Sequence, residues 1–134
     1  MTNSGTTIHP APDFPVRTAD GVTVAELSGD LDLASAPVLR EQLLGLLRPG
    51  TSRLVLDLSR VSFCDASGLA VLVGASHRAR MLGGFLRLAA VSPATERVLQ
   101  LTGLDRHLSI YPTVHAATNA PGDGFGRAGA LAAA

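Results

Sequence analysis

One stretch limits what this chain can fold into more than any other. Residues 62–75, SFCDASGLAVLVGA, close an apolar strand in their first half and open an apolar helix in their second. Asp65, Ala66, Ser67 and Gly68 therefore fall on a tight strand-to-helix connection. A strand feeding directly into a helix is the repeating unit of parallel sheets, so the rest of the sequence can be searched for the strands and helices that complete one.

The connection has chemistry of its own. The first turn of a helix carries N–H groups without intrahelical partners and the positive end of the macrodipole. Asp and Ser are preferred N-cap residues, and either Asp65 or Ser67 can cap this helix. A phosphate on Ser67 would not oppose the helix dipole.

Taken in order, residues 1–12 are polar, contain Pro10 and Pro12, and read as a flexible lead. A short strand over Phe14–Arg17 is predicted to turn at Asp20-Gly21, a good hairpin signal, into a second over Val22–Ser28. Asp30 and Asp32 then sit on a loop before a first helix. Ser35 is that helix's expected N-cap, Pro37 lies in its first turn, Leu39, Leu43, Leu46 and Leu47 recur at helical spacing, and Pro49-Gly50 ends it.

RLVLDL, residues 53–58, reads as a strand covered on both faces. After a short segment over Ser59–Asp65, the central helix is expected from Ser67 to about Leu82. Leu69, Leu72, Val73 and Ala79 form its inward stripe, and His77, Arg78 and Arg80 gather at the negative end of its dipole. FLRLA, residues 85–89, is the next strand. Ser92-Pro93 starts a third helix with Val98, Leu99 and Thr102 inward and Gly103 at its end. Leu108–Tyr111 is the last strand, and a short helix begins over Thr113–Ala117. From residue 118 the chain is Gly/Ala-rich, low in complexity and expected to be disordered. The predicted architecture is α/β: an opening antiparallel hairpin, then parallel β-α units, with about four helices covering a small mixed sheet over residues 13–117.

Composition excludes several functions. Eleven basic residues balance eleven acidic ones, which speaks against a protein that binds nucleic acid through bulk charge. Aromatic residues are only 4% against 46% apolar, so the core must be Leu, Val and Ala. Met1 is followed by TNSGTT, without the basic and apolar regions of a secretory signal, and no apolar stretch is long enough to span a bilayer. The expectation is a cytoplasmic protein without membrane contact. The single Cys64 permits no intramolecular disulfide and reads as a buried small hydrophobe.

No catalytic constellation assembles. Neither Ser67 nor Ser76 stands in a G-x-S-x-G elbow. Ser67 and His77 are ten residues apart on one predicted helix, roughly 15 Å along its axis, too far to share a proton. There is no GxxxxGK[ST] phosphate loop, and Gly122, Gly124 and Gly126 have no strand before them. His9, His77, His107 and His115 are scattered without ligand spacing, and Asp30 with Asp32 lacks the third ligand a metal site needs. No metal, cofactor or enzyme activity is expected. Ser67 then reads as a substrate for a kinase that supplies ATP, metal and base.

Three runs in this order, GDLDLASAPVLREQL (29–43), LVLDLSRVSFCDASGLAVLVGA (54–75) and LRLAAVSPATERVLQLTGLDRHLSIYPTVHAA (86–117), resemble the STAS domain of bacterial anti-sigma factor antagonists. The resemblance covers about 100 residues and implies a sheet backed by helices. It implies that an anti-sigma factor, a serine kinase with a histidine-kinase-like ATPase fold, phosphorylates the residue before the glycine of a D-[ST]-[ST]-G-[LI] motif. That residue is Ser67. Asp65, Gly68 and Leu69 match the motif, and Ala66 replaces a frequent hydroxyl, leaving Ser67 as the one acceptor. Asp30, Leu31 and Asp32 match the family's G-[DE]-[LV]-D loop, so the implied partner surface is Asp30, Leu31, Asp32, Asp65, Ala66, Gly68 and Leu69. A PP2C-type phosphatase is the implied resetting enzyme. The rival readings are an unphosphorylated STAS scaffold subunit of a signalling or lipid-transport assembly and, further off, a small serine hydrolase or nucleotide-hydrolysing enzyme.

Overall fold

The computed structural model describes residues 14–121. It contains β1 (Val16–Ala19), β2 (Val22–Leu31), α1 (Ala36–Leu46), β3 (Arg53–Cys64), α2 (Ala66–Met81), β4 (Phe85–Ala89), α3 (Pro93–Thr102), a 3-10 turn at Leu104–Arg106, β5 (Ser109–Tyr111) and α4 (Val114–Asn119). The lead expected over residues 1–12 lies outside the described residues, as does the sequence beyond Pro121.

The five strands lie side by side in sequence order, with β1 antiparallel to β2 and every later pair parallel. This order has a consequence for packing. Parallel crossovers are right-handed, so when each new strand is added on the same side of the last, every crossover helix falls on the same sheet face. α1, α2 and α3 accordingly share one core, with Leu43, Leu69, Leu72 and Leu99 closing on Leu27, Leu54, Leu56, Leu58 and Leu88. Among the described residues only α4 covers the opposite face, where Val22, Val24, Val55, Ala89, Tyr111 and Ala117 form a second, smaller cluster. β3 thus buries both Leu54 and Leu56 on one side and Val55 on the other, as its nearly continuous apolar run requires.

The hairpin forms at Asp20-Gly21, with φ of 53° and 79° at the two turn residues, the left-handed pair that a tight two-residue connection demands. β1 begins at Val16, later than predicted, because Pro15 has no N–H to donate; its carbonyl instead accepts the Glu26 amide at 3.0 Å.

The largest correction concerns β2 and β3. Both run past their predicted ends, to Leu31 and Cys64, by pairing with each other from Ser28↔Arg60 to Leu31↔Cys64, with one register shift just before Ser28 and a second between Gly29 and Asp30. Ser59, Arg60 and Ser62 look like a loop in the sequence because this ribbon projects beyond β4 and its outer positions are exposed. Asp30 and Leu31 are therefore strand residues; the expected loop starts only at Asp32. Three smaller corrections are local. Thr102 is exposed, its hydroxyl donating back to Val98 O at 2.7 Å. β5 starts at Ser109, and α4 runs on to Asn119.

One buried cation fixes the terminal helix. Arg87 is 3% exposed in the centre of β4. It donates to the carbonyls of Ala117 (2.8 Å), Ala120 (3.0 Å) and Pro121 (3.4 Å), and its guanidinium lies 3.7 Å over the Phe85 ring. These are carbonyls that the end of α4 cannot satisfy internally, met by a positive charge at the negative end of the dipole.

Candidate functional site

The site is built where β2 and β3 end together. Cys64 pairs with Leu31, and the Asp65 amide then donates to Leu31 O at 3.0 Å, so the turn into α2 is pinned to the last residue of β2. The helix start presses on the same residue. A Cβ on Gly68 would stand 2.7 Å from the Leu31 carbonyl carbon and 2.8 Å from its Cβ, so only glycine fits.

Asp65 is the N-cap. It is extended (φ −104°, ψ −177°), and its Oδ1 accepts from the Ser67 amide at 2.8 Å and the Gly68 amide at 3.1 Å. The choice that the sequence leaves open between Asp65 and Ser67 falls to the carboxylate. Ser67 occupies the second helical position, is half-buried, and its hydroxyl makes no hydrogen bond among the described residues.

Ser35 stands at the expected N-cap position of α1, and the segment after β2 adds a capped turn of its own that starts three residues earlier, at Asp32. Asp32 Oδ1 accepts from the Ser35 amide at 3.0 Å, and Ser35 Oγ accepts from the Asp32 amide at 3.0 Å. This reciprocal pair is a capping box in which Asp32 is the capping residue and Ser35 the third of the turn. Ser35 makes no side-chain cap at the start of α1 itself; its hydroxyl donates to Asp30 O at 2.8 Å, tying the turn to the end of β2.

The residues singled out from the sequence therefore divide in two. Leu31 and Leu69 are buried, at 4% and 0% exposure, and Gly68 is buried between them. They hold the turn from beneath and offer a partner no side chain. Asp30 and Ala66 are exposed, while Asp32, Asp65 and Ser67 are half-buried. Two large apolar side chains absent from the expected set stand nearby: Phe63, paired in register with Asp30 and 53% exposed, and Leu33, 74% exposed. Strand alternation from buried Val61 would have put Phe63 inward; the register shift between Val61 and Phe63 turns it out beside exposed Ser62, and nothing local in the sequence signals that.

Cys64 lies one residue before the cap and is buried. Burial, with the Asp65 charge beside it, pushes its thiol up to about 12, so it stays protonated and unreactive near neutrality. Among the described residues no group of three His, Cys, Asp or Glu side chains is placed to hold a metal ion, and no helix is long and apolar enough to cross a membrane.

The family model described as STAS domain matches residues 13–117, and the chain belongs to that family. Among its relatives it is 40% identical over 78 residues to the anti-sigma-B factor antagonist of Bacillus subtilis, covering 58% of this chain and 71% of that protein. It is 33% identical over 110 residues to the anti-sigma-F factor antagonist RsfB of Mycobacterium tuberculosis, covering 78% and 88%. The crystal structure of an anti-sigma factor antagonist from Mycobacterium paratuberculosis superposes with a TM-score of 0.70 at 34% identity, over 78% of this chain and 89% of that one.

Proposed function

We propose that this chain is an anti-sigma factor antagonist switched by phosphorylation of Ser67. Unmodified, it binds an anti-sigma factor that is also a serine kinase with a histidine-kinase-like ATPase fold, and so releases a sigma factor in the cytoplasm. Phosphorylated, it lets go, and a PP2C-type phosphatase resets it. The chain contributes no catalysis; it presents a hydroxyl.

The observation that carries this reading is the division of labour at the start of α2. Because Asp65 takes the Ser67 and Gly68 amides, the Ser67 hydroxyl is not needed to cap the helix and stands ready for transfer. The names of the relatives support the antagonist role. The partner surface we assign is the rim of the turn, exposed Asp30 and Ala66 with half-buried Asp32 and Asp65 around Ser67, and with Leu31, Gly68 and Leu69 as its support. Phosphorylation adds about −1.5 to −2 charges at neutral pH to a rim that already carries Asp30, Asp32 and Asp65. The fold keeps its cap, and the interface suffers repulsion and desolvation.

The test is incubation of the purified chain with ATP and candidate anti-sigma kinases of the same genome, read by intact mass and peptide mapping beside Ser67→Ala. One phosphate on Ser67, absent in the variant and accompanied by loss of kinase binding, is the expected result. Stable binding to another complex with no phosphate from any candidate would replace the switch with the scaffold reading.

A further inference from the structure

α1 and α2 pack side by side and leave between them an open groove of about 410 Å³, lined by Arg40 and Leu44 from α1 and by Val71, Gly74, Ala75 and Arg78 from α2. Its floor is apolar, with Ala75 buried and Leu44 and Val71 half-buried. Gly74 is exposed, and nothing lies within 4 Å of where its Cβ would be, so the absent side chain is what keeps the groove open. The charged positions on the two walls have the same sign. No acid lines the groove, and neither Arg40 nor Arg78 has a hydrogen-bond or ion-pair partner among the described residues. In a chain of zero formal net charge, two such guanidinia over one apolar floor are a local excess.

We infer that this groove docks an acidic amphipathic helix of a partner protein. A channel between two packed helices, apolar along its base, takes the apolar stripe of a third helix. Carboxylates on either side of that stripe meet Arg40 and Arg78, and guanidinium with carboxylate is the pairing that gains most from two parallel hydrogen bonds. A free phosphate or a nucleic-acid backbone would use the arginines and leave the apolar floor empty. At about 100° per residue, Ser67, Val71, Gly74 and Arg78 fall on one face of α2, so the groove points along the helix towards the serine turn. The groove itself does not depend on Ser67 being modified.

The experiment uses the full-length chain, labelled with ¹⁵N. The probe is a synthetic helical peptide of roughly 14 residues, with a Leu stripe flanked by Glu, run beside its Lys-flanked counterpart and inorganic phosphate. Saturable shifts centred on residues 40, 44, 71, 74, 75 and 78 are expected with the acidic peptide alone. Affinity should fall at least about tenfold in Arg40→Glu/Arg78→Glu. It should fall as far in Gly74→Leu, which fills the groove without changing a charge. All three positions are exposed, and thermal unfolding verifies both variants. Absence of saturable shifts, affinity indifferent to both variants, or equal shifts with phosphate that survive Gly74→Leu would each overturn the proposal.

Discussion

The starts of α2 and α3 meet the same physical need with different atoms. At α3, Ser92 is the N-cap: its Oγ accepts from the Thr95 amide at 3.1 Å and lies 3.1 Å from Thr95 Oγ1, so the hydroxyl is fully engaged. At α2 a carboxylate does the capping, and the hydroxyl of the serine two residues later has no hydrogen-bond partner among the described residues. Both helices have their orphan amides satisfied. Only one of them has a serine to spare, and a serine held in a cap must break that cap before it can accept a phosphate. The reading of Ser67 as an acceptor rests on this difference.

The comparison can be strained at four points. Gly68→Ala should have the largest effect, because its Cβ would run into the Leu31 carbonyl and prise the helix start away from β2. A loss of about 3 kcal/mol is expected from such overpacking. It would appear as a lower urea midpoint with the slope unchanged; a loss below about 0.5 kcal/mol would mean that the two elements are not locked together as described.

Asp65→Ala removes the acceptor of two amides and should cost about 1–2 kcal/mol in the same denaturation. If it costs nothing, the cap is not what frees Ser67. Ser92→Ala should cost about 1 kcal/mol, since the Thr95 amide and hydroxyl both lose their partner. Last comes Ser67→Ala, with a stability change within about 0.5 kcal/mol. A destabilisation matching that of Ser92→Ala would show that the two serines do the same job, and the contrast would collapse. Should Ser67→Ala prove silent in stability yet abolish phosphate incorporation by a kinase partner, the contrast becomes functional as well.

Much of this site was legible because its interactions are local. Asp65 to Ser67 and Gly68, Ser92 to Thr95, and the Asp20-Gly21 turn are all contacts within a few residues, and side-chain type with spacing is enough to anticipate them. The choice between Asp65 and Ser67 as cap was not legible, since both residues suit it and the decision depends on where the chain enters the helix. Ser35 stands at the N-cap position of α1 as its place in the sequence suggests, but its hydroxyl serves the preceding turn instead: D-L-A-S is a capping box only if the turn starts at Asp32, one position after the chain leaves β2. Arg87 is a local signal of another kind. A lone charge inside FLRLA must either face water or find a buried partner, and the sheet gives it the carbonyls at the end of α4.

The sequence by itself determined the order of strands and helices, the hairpin, the helix caps by type and the stretch that carries Ser67, because periodicity and capping act over distances of a few residues. Tertiary structure decided the rest. Pairing between β2 and β3 turned a presumed loop into strand and set Asp30 and Phe63 side by side. The approach of Leu31 made Gly68 obligatory, and one-sided crossovers left the second face of the sheet to α4 and Arg87. Each of these depends on backbone from distant parts of the chain meeting within a few ångströms, and no residue type specifies such a meeting before the sheet has formed.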